Sequence, residues 1–277
     1  MPSHESTIST ARDIAPRTLN LSVAADTPRY WMEGDAFATH LMNAFSITFP
    51  EGEGFFVASV RRLRDKVKDP KLEAQVRGFL AQESLHRREH TALNQWMQDQ
   101  GIDVEGYERE VKRILDRPRT QATPTVQLAI TCALEHLTAT MAEMWLTTPE
   151  MRNGAHPSVR PLWTWHAIEE IDHKAVAFDV YLAAGGSYRL RAIVMVSTTA
   201  MLILQVGRMQ LRMLRQDGEL TPKSLARGFW RFWGPRGYFT RMIPAYLRYF
   251  DPSFHPWQHD DSELVTRFER ELAPYLS

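Results

Sequence analysis

Residues 165–181, WHAIEEIDHKAVAFDVY, restrict the fold of this chain more than any other stretch. His166, Glu170 and His173 stand four and three positions apart. On an α-helix that spacing puts all three side chains on one face. Val159, Leu162, Ala177 and Val180 continue the same face, so it is apolar on either side of the polar trio. Two imidazoles and a carboxylate therefore sit within a stripe expected to be buried, where an unpaired carboxylate is costly. The fold must bring partners to them from other helices.

Those partners can be found upstream. A helix over about residues 70–100 carries the stripe Leu72, Val76, Phe79, Glu83, His86, His90, Leu93, Met97, with polar residues only at its centre. A helix starting near Glu51 places Glu53 on the side of Phe56, Val60, Leu63 and Val67. A third, after Pro124 and up to about Thr147, holds Glu135 among Leu128, Thr131, Cys132, Thr138, Ala139 and Ala142. Glu53 precedes Glu83-x-x-His86 by 30 residues, and Glu135 precedes Glu170-x-x-His173 by 35. One glutamate from each of two helices and a Glu-x-x-His from each of the other two is the donor arrangement of di-metal carboxylate bundles.

The expected ligands are Glu53, Glu83, His86, Glu135, His166, Glu170 and His173. Four glutamates match the charge of two divalent cations, whereas without metal they would repel and take up protons. Imidazoles with carboxylates suit iron or manganese better than magnesium, and zinc is also open. His166 has a second reading, as a supporting or capping histidine. His90, one turn beyond His86, is expected to support the site or line its pocket. Glu169 and Asp172 lie off the stripe, to hold a ligand histidine or face solvent. Glu51 competes with Glu53, which sits deeper in its helix. The bland reading of the whole cluster is a buried salt-bridge network.

The chain divides into a polar, mobile N-terminal arm (1–25), a di-metal helical bundle (26–186) and a C-terminal helical extension packed on it (187–277). The fold expected is all-α. Lys plus Arg and Asp plus Glu are 33 each, which gives no general case for nucleic-acid binding. A lone cysteine, Cys132, and the lack of a signal-peptide pattern suit the cytoplasm. Residues 193–206 form an apolar helix whose uncharged core, about 16 residues, is short of the roughly 20 that span a bilayer. Residues 227–249 mix arginine with aromatics. They read either as a hairpin packed on the bundle with its arginines reaching to water, or as a surface for peripheral membrane contact.

The ligand pattern resembles the ferritin-like di-iron carboxylate superfamily, with a ferritin-like four-helix bundle as the implied fold. Its His166-x-x-x-Glu170-x-x-His173 resembles the arylamine N-oxygenases, whose last ligand helix adds a third histidine. Over about residues 31–257 the chain is similar to a bacterial family labelled predicted metal-dependent hydrolase, through FPEGEGFF, QESLHRREH, ALEHLTA, the 165–181 stretch and FHPW. That resemblance matches the glutamate of the Gly-Glu pair, Glu53.

Three functions follow as expectations. The first is a di-iron oxygenase or oxidase that uses O2 and an external electron donor, since no flavin or nicotinamide motif is visible. Its substrate would be an apolar or amphipathic small molecule in a cavity lined by Phe56, Phe79, Ala139 and Trp163. The second is a di-metal hydrolase, which needs polar substrate-binding groups that the inward stripes scarcely offer. The third is a non-catalytic metal-binding bundle. A homodimer is the remaining partner expectation.

Overall fold

The structure, a computed structural model, describes residues 14–277. Among these residues the chain is all-α, with no strand and two isolated bridges, Leu19 with Leu276 and Met32 with Ala155. Four helices surround the predicted ligands: α1 (Ala36–Leu63), α2 (Pro70–Asp99), α4 (Pro124–Thr147) and α6 (Arg160–His173), the last continued by α7 (Val176–Ala183). α1 packs on α2 and α4, and α6 with α7 packs on both of those, which closes the ring. α3 (Val104–Gln121) and the short α5 (Pro149–Gly154) connect them.

Local sequence explains the helix starts. Asp69 and Thr123 accept hydrogen bonds from the first free N–H groups of α2 and α4, and a proline follows each at the first helical position. Asp35 caps α1 in the same way, through the Ala38 N–H. The core is divided by its polar centre. On α2, Leu93 and Met97 join a cluster around Trp31 and Trp165, whereas Val76 and Phe79 join another around Phe55 and Val180.

Two helices differ from the sequence reading. The helix expected to start near Glu51 begins at Ala36 instead, and α1 runs through Pro50. Proline has no N–H for the carbonyl four residues back, here that of Ser46. Asn94 Nδ2 donates to that carbonyl instead, at 3.4 Å. The 165–181 stretch, expected as one helix, breaks after His173. The break falls at Lys174, whose buried ammonium reaches Asp261 Oδ2 at 2.5 Å and the His259 carbonyl at 2.8 Å. Ala177 and Val180 stay fully buried beyond it.

The last third adds α8 (Tyr188–Gln216), α9 (Pro222–Trp233), α10 (Tyr238–Arg248) and α11 (Ser262–Leu272). α8 lies along α1 and α4, α10 along α4, and α11 against α6. Asp217, just past α8, ties this third to the front of the bundle. It accepts from Arg29 Nη2 at 2.5 Å and Tyr30 Oη at 3.1 Å, and lies 3.0 Å from His40 Nε2.

Residues 1–13 of the expected mobile arm lie outside the described residues, but residues 14–25 are no free arm. Leu19 is buried, and Trp165 Nε1 donates to the Arg17 carbonyl at 3.0 Å. The Arg17 guanidinium meets Asp172 at 2.7 Å and Glu269 at 2.5 Å. Polar composition hid this segment because its value lies in pairing with buried acids. Cutting one partner from such a pair costs about 3–5 kcal/mol, so Arg17→Ala should lower stability by about 3 kcal/mol. Urea denaturation measures it, and an unchanged midpoint would show that the segment contributes nothing to the fold.

Candidate metal centre

The expected ligands come from four helices: Glu53 from α1, Glu83 and His86 from α2, Glu135 from α4, and His166, Glu170 and His173, the last at its C-terminal end, from α6. All seven side chains are buried. Donor atoms of Glu83, His86, Glu170 and His173 lie within 4.8 Å of one another, and so do those of Glu53, His86 and His166. Glu170 is the centre of the arrangement. Its Oε1 lies 3.1 Å from His166 Nε2, 3.6 Å from His86 Nδ1 and 3.6 Å from His173 Nε2. Glu83 and Glu135 approach His173 Nε2 at 3.4 and 3.7 Å. Glu51 is outside the group and pairs with Arg119 at 3.3 Å.

Whether these residues fit a metal pair can be tested on their unmet atoms. Both carboxylate oxygens of Glu53, Glu83 and Glu135 are buried without a hydrogen-bond partner. So are Glu170 Oε2, His86 Nδ1, His166 Nε2 and both ring nitrogens of His173. A buried acceptor left unpaired is costly, more so when charged. Unmet oxygens and nitrogens converging from four helices are a donor set for cations, and His86, common to both groups, suits a pair.

Behind two of the ligand rings, those of His86 and His166, the outer nitrogen has a partner. His86 turns Nε2 to Glu169 Oε2 at 3.1 Å, which leaves Nδ1 for the centre. The other oxygen of Glu169 accepts the Arg17 backbone N–H at 2.8 Å. His166 turns Nδ1 to His90 Nε2 at 2.9 Å, and His90 Nδ1 lies 2.9 Å from Ser46 Oγ. Ser46 Oγ donates to Asn94 Oδ1 at 2.8 Å, and Asn94 Nδ2 donates to Glu108 at 3.1 Å. Such contacts fix ring orientation and tautomer. The part of Ser46, Asn94 and Glu108 has no one-dimensional signal, because three helices contribute to it. Neither Glu169 nor Asp172 faces solvent.

Electrostatics separates the carboxylates. Burial, with the neighbouring glutamates, raises Glu53 and Glu83 well above the usual range. Burial pushes Glu135 to about 8 against the pull of His173. Burial would raise Glu170 too, but the imidazoles of His166 and His173 beside it outweigh burial and hold it well below. Burial would lower His173, yet Glu135 and Glu170 carry it up to about 9. Burial, with the neighbouring imidazoles, holds His86 and His90 well below the usual imidazole range. The centre thus binds protons in place of missing positive charge.

The expected cavity lining is only partly met. Phe56 lines a cavity beside the centre. Trp163 and His166 line a smaller one. Phe79 lines neither and packs its ring against His173, centroids 4.9 Å apart. Ala139 faces a third pocket, with His136 and His259. The inner face of α4 runs from Glu135 to its i+3 neighbour Thr138, which turns the i+4 residue away.

Two measurements check this geometry. Glu135 and His173 have folded values above their unfolded ones, so chelated protein should lose stability as pH rises, from about 4.5 as Glu135 begins to titrate in the unfolded chain to about 9 where His173 titrates in the folded one. A cation takes the place of those protons, so the melting-temperature gap between metal-loaded and chelated protein should widen over that window. A constant gap would count against the assignment. Glu169→Ala should weaken metal binding about 10–100-fold by freeing His86, whereas Glu143→Ala should leave it unchanged. Titration with cobalt, read by absorbance, compares them.

Comparison with known proteins adds one finding. A family model described as predicted metal-dependent hydrolase matches residues 15–260. No curated protein and no solved structure matches, so the resemblance to ferritin-like proteins is one of ligand spacing, not a shown kinship. With a match that spans the bundle and most of the C-terminal third, the chain belongs to the family of predicted metal-dependent hydrolases.

Proposed function

We propose that the chain is a dinuclear metal-dependent enzyme acting on an elongated, mainly apolar molecule whose reacting group lies against Glu53 and Glu170. One observation carries this reading: both glutamates form part of the wall of a cavity of about 360 Å³ between α1, α3, α4 and α8. Phe45, Phe56, Ile114, Leu134 and Met201 supply much of the rest. The volume is in the range of small-molecule sites.

Hydrolysis of an ester or amide on such a molecule is the first reading, because the family description supports it. Bound divalent cations would polarise a carbonyl and supply water of lowered pKa. The chain's own residues would do the rest. Glu169 and His90 would hold the tautomers of His86 and His166. The apolar wall would exclude bulk water and strengthen every charge interaction inside. Glu53, on the cavity wall, would give its carboxylate to the metal nearest the reacting group.

Oxidation is the second reading, with two irons, O2 and an external electron donor. It is favoured by the ligand set, since seven buried carboxylate and imidazole donors suit iron, and by the scarcity of polar groups on the cavity wall. Manganese or zinc would go with hydrolysis.

The test loads chelated protein with zinc, manganese or iron in turn. Metal-dependent cleavage of nitrophenyl esters, faster for longer acyl chains and abolished in Glu170→Ala, supports hydrolysis. Oxygen uptake by the reduced iron form, with no cleavage, moves the assignment to oxidation. Neither activity with any metal would leave a metal-binding bundle without catalysis. A second variant checks the cavity. Gly52 lines it, and a Cβ there would meet nothing within 4 Å. Gly52→Leu should therefore shift selectivity to shorter chains, with metal content unchanged by elemental analysis.

A further inference from the structure

The distribution of exposed apolar side chains is one-sided. Among the described residues, every large hydrophobic side chain that is exposed lies between Leu182 and Tyr275. Helix α8 carries several: Ile193, Val196, Ile203 and Leu204 form its outer face, while Met195, Val206 and Met209 are buried against the bundle. A helix apolar on all sides belongs where no side of it meets bulk water. Helix α9 exposes Phe229 and Trp230 at 61% and 68%.

Charge is as one-sided. The chain as a whole is neutral, yet residues 188–250 hold eleven Lys and Arg against two Asp and Glu, a net of nine positive charges. Three of these charges are met by acids of the bundle, Arg212 by Glu110, Arg227 by Asp35 and Arg231 by Glu33, and the apolar face of α8 is bracketed by Arg189, exposed at its start, and Arg208 and Arg215, exposed towards its end. Aromatic and aliphatic side chains beside exposed arginines are the composition of a surface that lies in a lipid interface. Two copies of so basic a face would repel each other, whereas an anionic headgroup layer complements it.

The cavity reaches this face. Ser197 and Met201, both exposed, line it from α8, and Glu53 and Glu170 line it from the metal centre. We propose that α8 and α9 dock this protein on an anionic phospholipid bilayer, in the plane of the interface, so that an amphipathic lipid passes directly into the cavity. Docking stands on the surface alone; only the route of the lipid rests on the function proposed above.

The test is flotation of the full chain with vesicles of phosphatidylcholine, alone or mixed with equimolar phosphatidylglycerol. Binding is expected to the mixed vesicles only, and to weaken as salt is raised. Arg208→Ala and Arg215→Ala should each weaken it about fivefold, the worth of one basic side chain near such a surface. Ile203→Glu with Leu204→Glu should abolish it, with an unchanged circular dichroism spectrum and melting temperature as the folding control. Failure to bind mixed vesicles, or variants that bind like the parent, would overturn the proposal. So would a lipid-free dimer broken by Ile203→Glu, which would give the face to a second copy. Glu170→Ala should float like the parent whether or not it turns over substrate, so docking and catalysis fail separately.

Discussion

Everything in this structure depends on four glutamates brought together at the centre of a helical ring. Removing a carboxylate from water costs several kcal/mol after relaxation, and like charges nearby add to the cost. Of the four, Glu170 alone is held ionised by the imidazoles around it. Glu53, Glu83 and Glu135 keep protons or need cations. The remaining features of the bundle make sense as consequences. The rings of His86 and His166 are held from behind, so that their free nitrogens point inward. An N-terminal segment closes over Glu169 and Asp172. The core is split into two apolar clusters because its middle is reserved for polar atoms.

The cluster itself was legible because helical spacing is a one-dimensional signal. Glu83, His86, Glu170 and His173 fall on stripes that can be read along the chain, and the structure brings their donor atoms within 4.8 Å. The all-α class followed from the same periodicity. Contacts between distant segments were not legible. Arg17 lies in a stretch that reads as a polar arm, and nothing local says that its guanidinium meets an acid on α6. Ser46 reads as an ordinary helix residue, yet it links His90 to Asn94. Pro50 reads as a boundary until the side chain that replaces its missing donor is known. Ala139 went astray on a finer point, the choice between i+3 and i+4 on one face.

The C-terminal third solves a different problem from the bundle. It gives Val194, Met195 and Val206 to the common core and seals the bundle on the α1–α4 side. A helix serving only as a seal would keep a polar outer face. α8 does not, and its unpaired apolar surface adjoins the cavity that reaches Glu53 and Glu170. Sealing and access are thus assigned to two faces of one helix.

The two halves of the ligand pattern look equivalent in sequence but not in space. Glu53 and Glu170 border the large cavity, whereas Glu83, Glu135 and His173 do not. Phe79 packs on His173 and backs that side with an aromatic ring. His166 has no counterpart in the first half, because the matching position before Glu83 is Phe79. It lies with Glu53 and His86, on the cavity side. A third imidazole there adds a donor on the side of Glu53, and it leaves the other side to the Glu135–His173 pair. The repeat therefore builds the centre, and the added imidazole breaks its symmetry on the side of Glu53, which lines the large cavity.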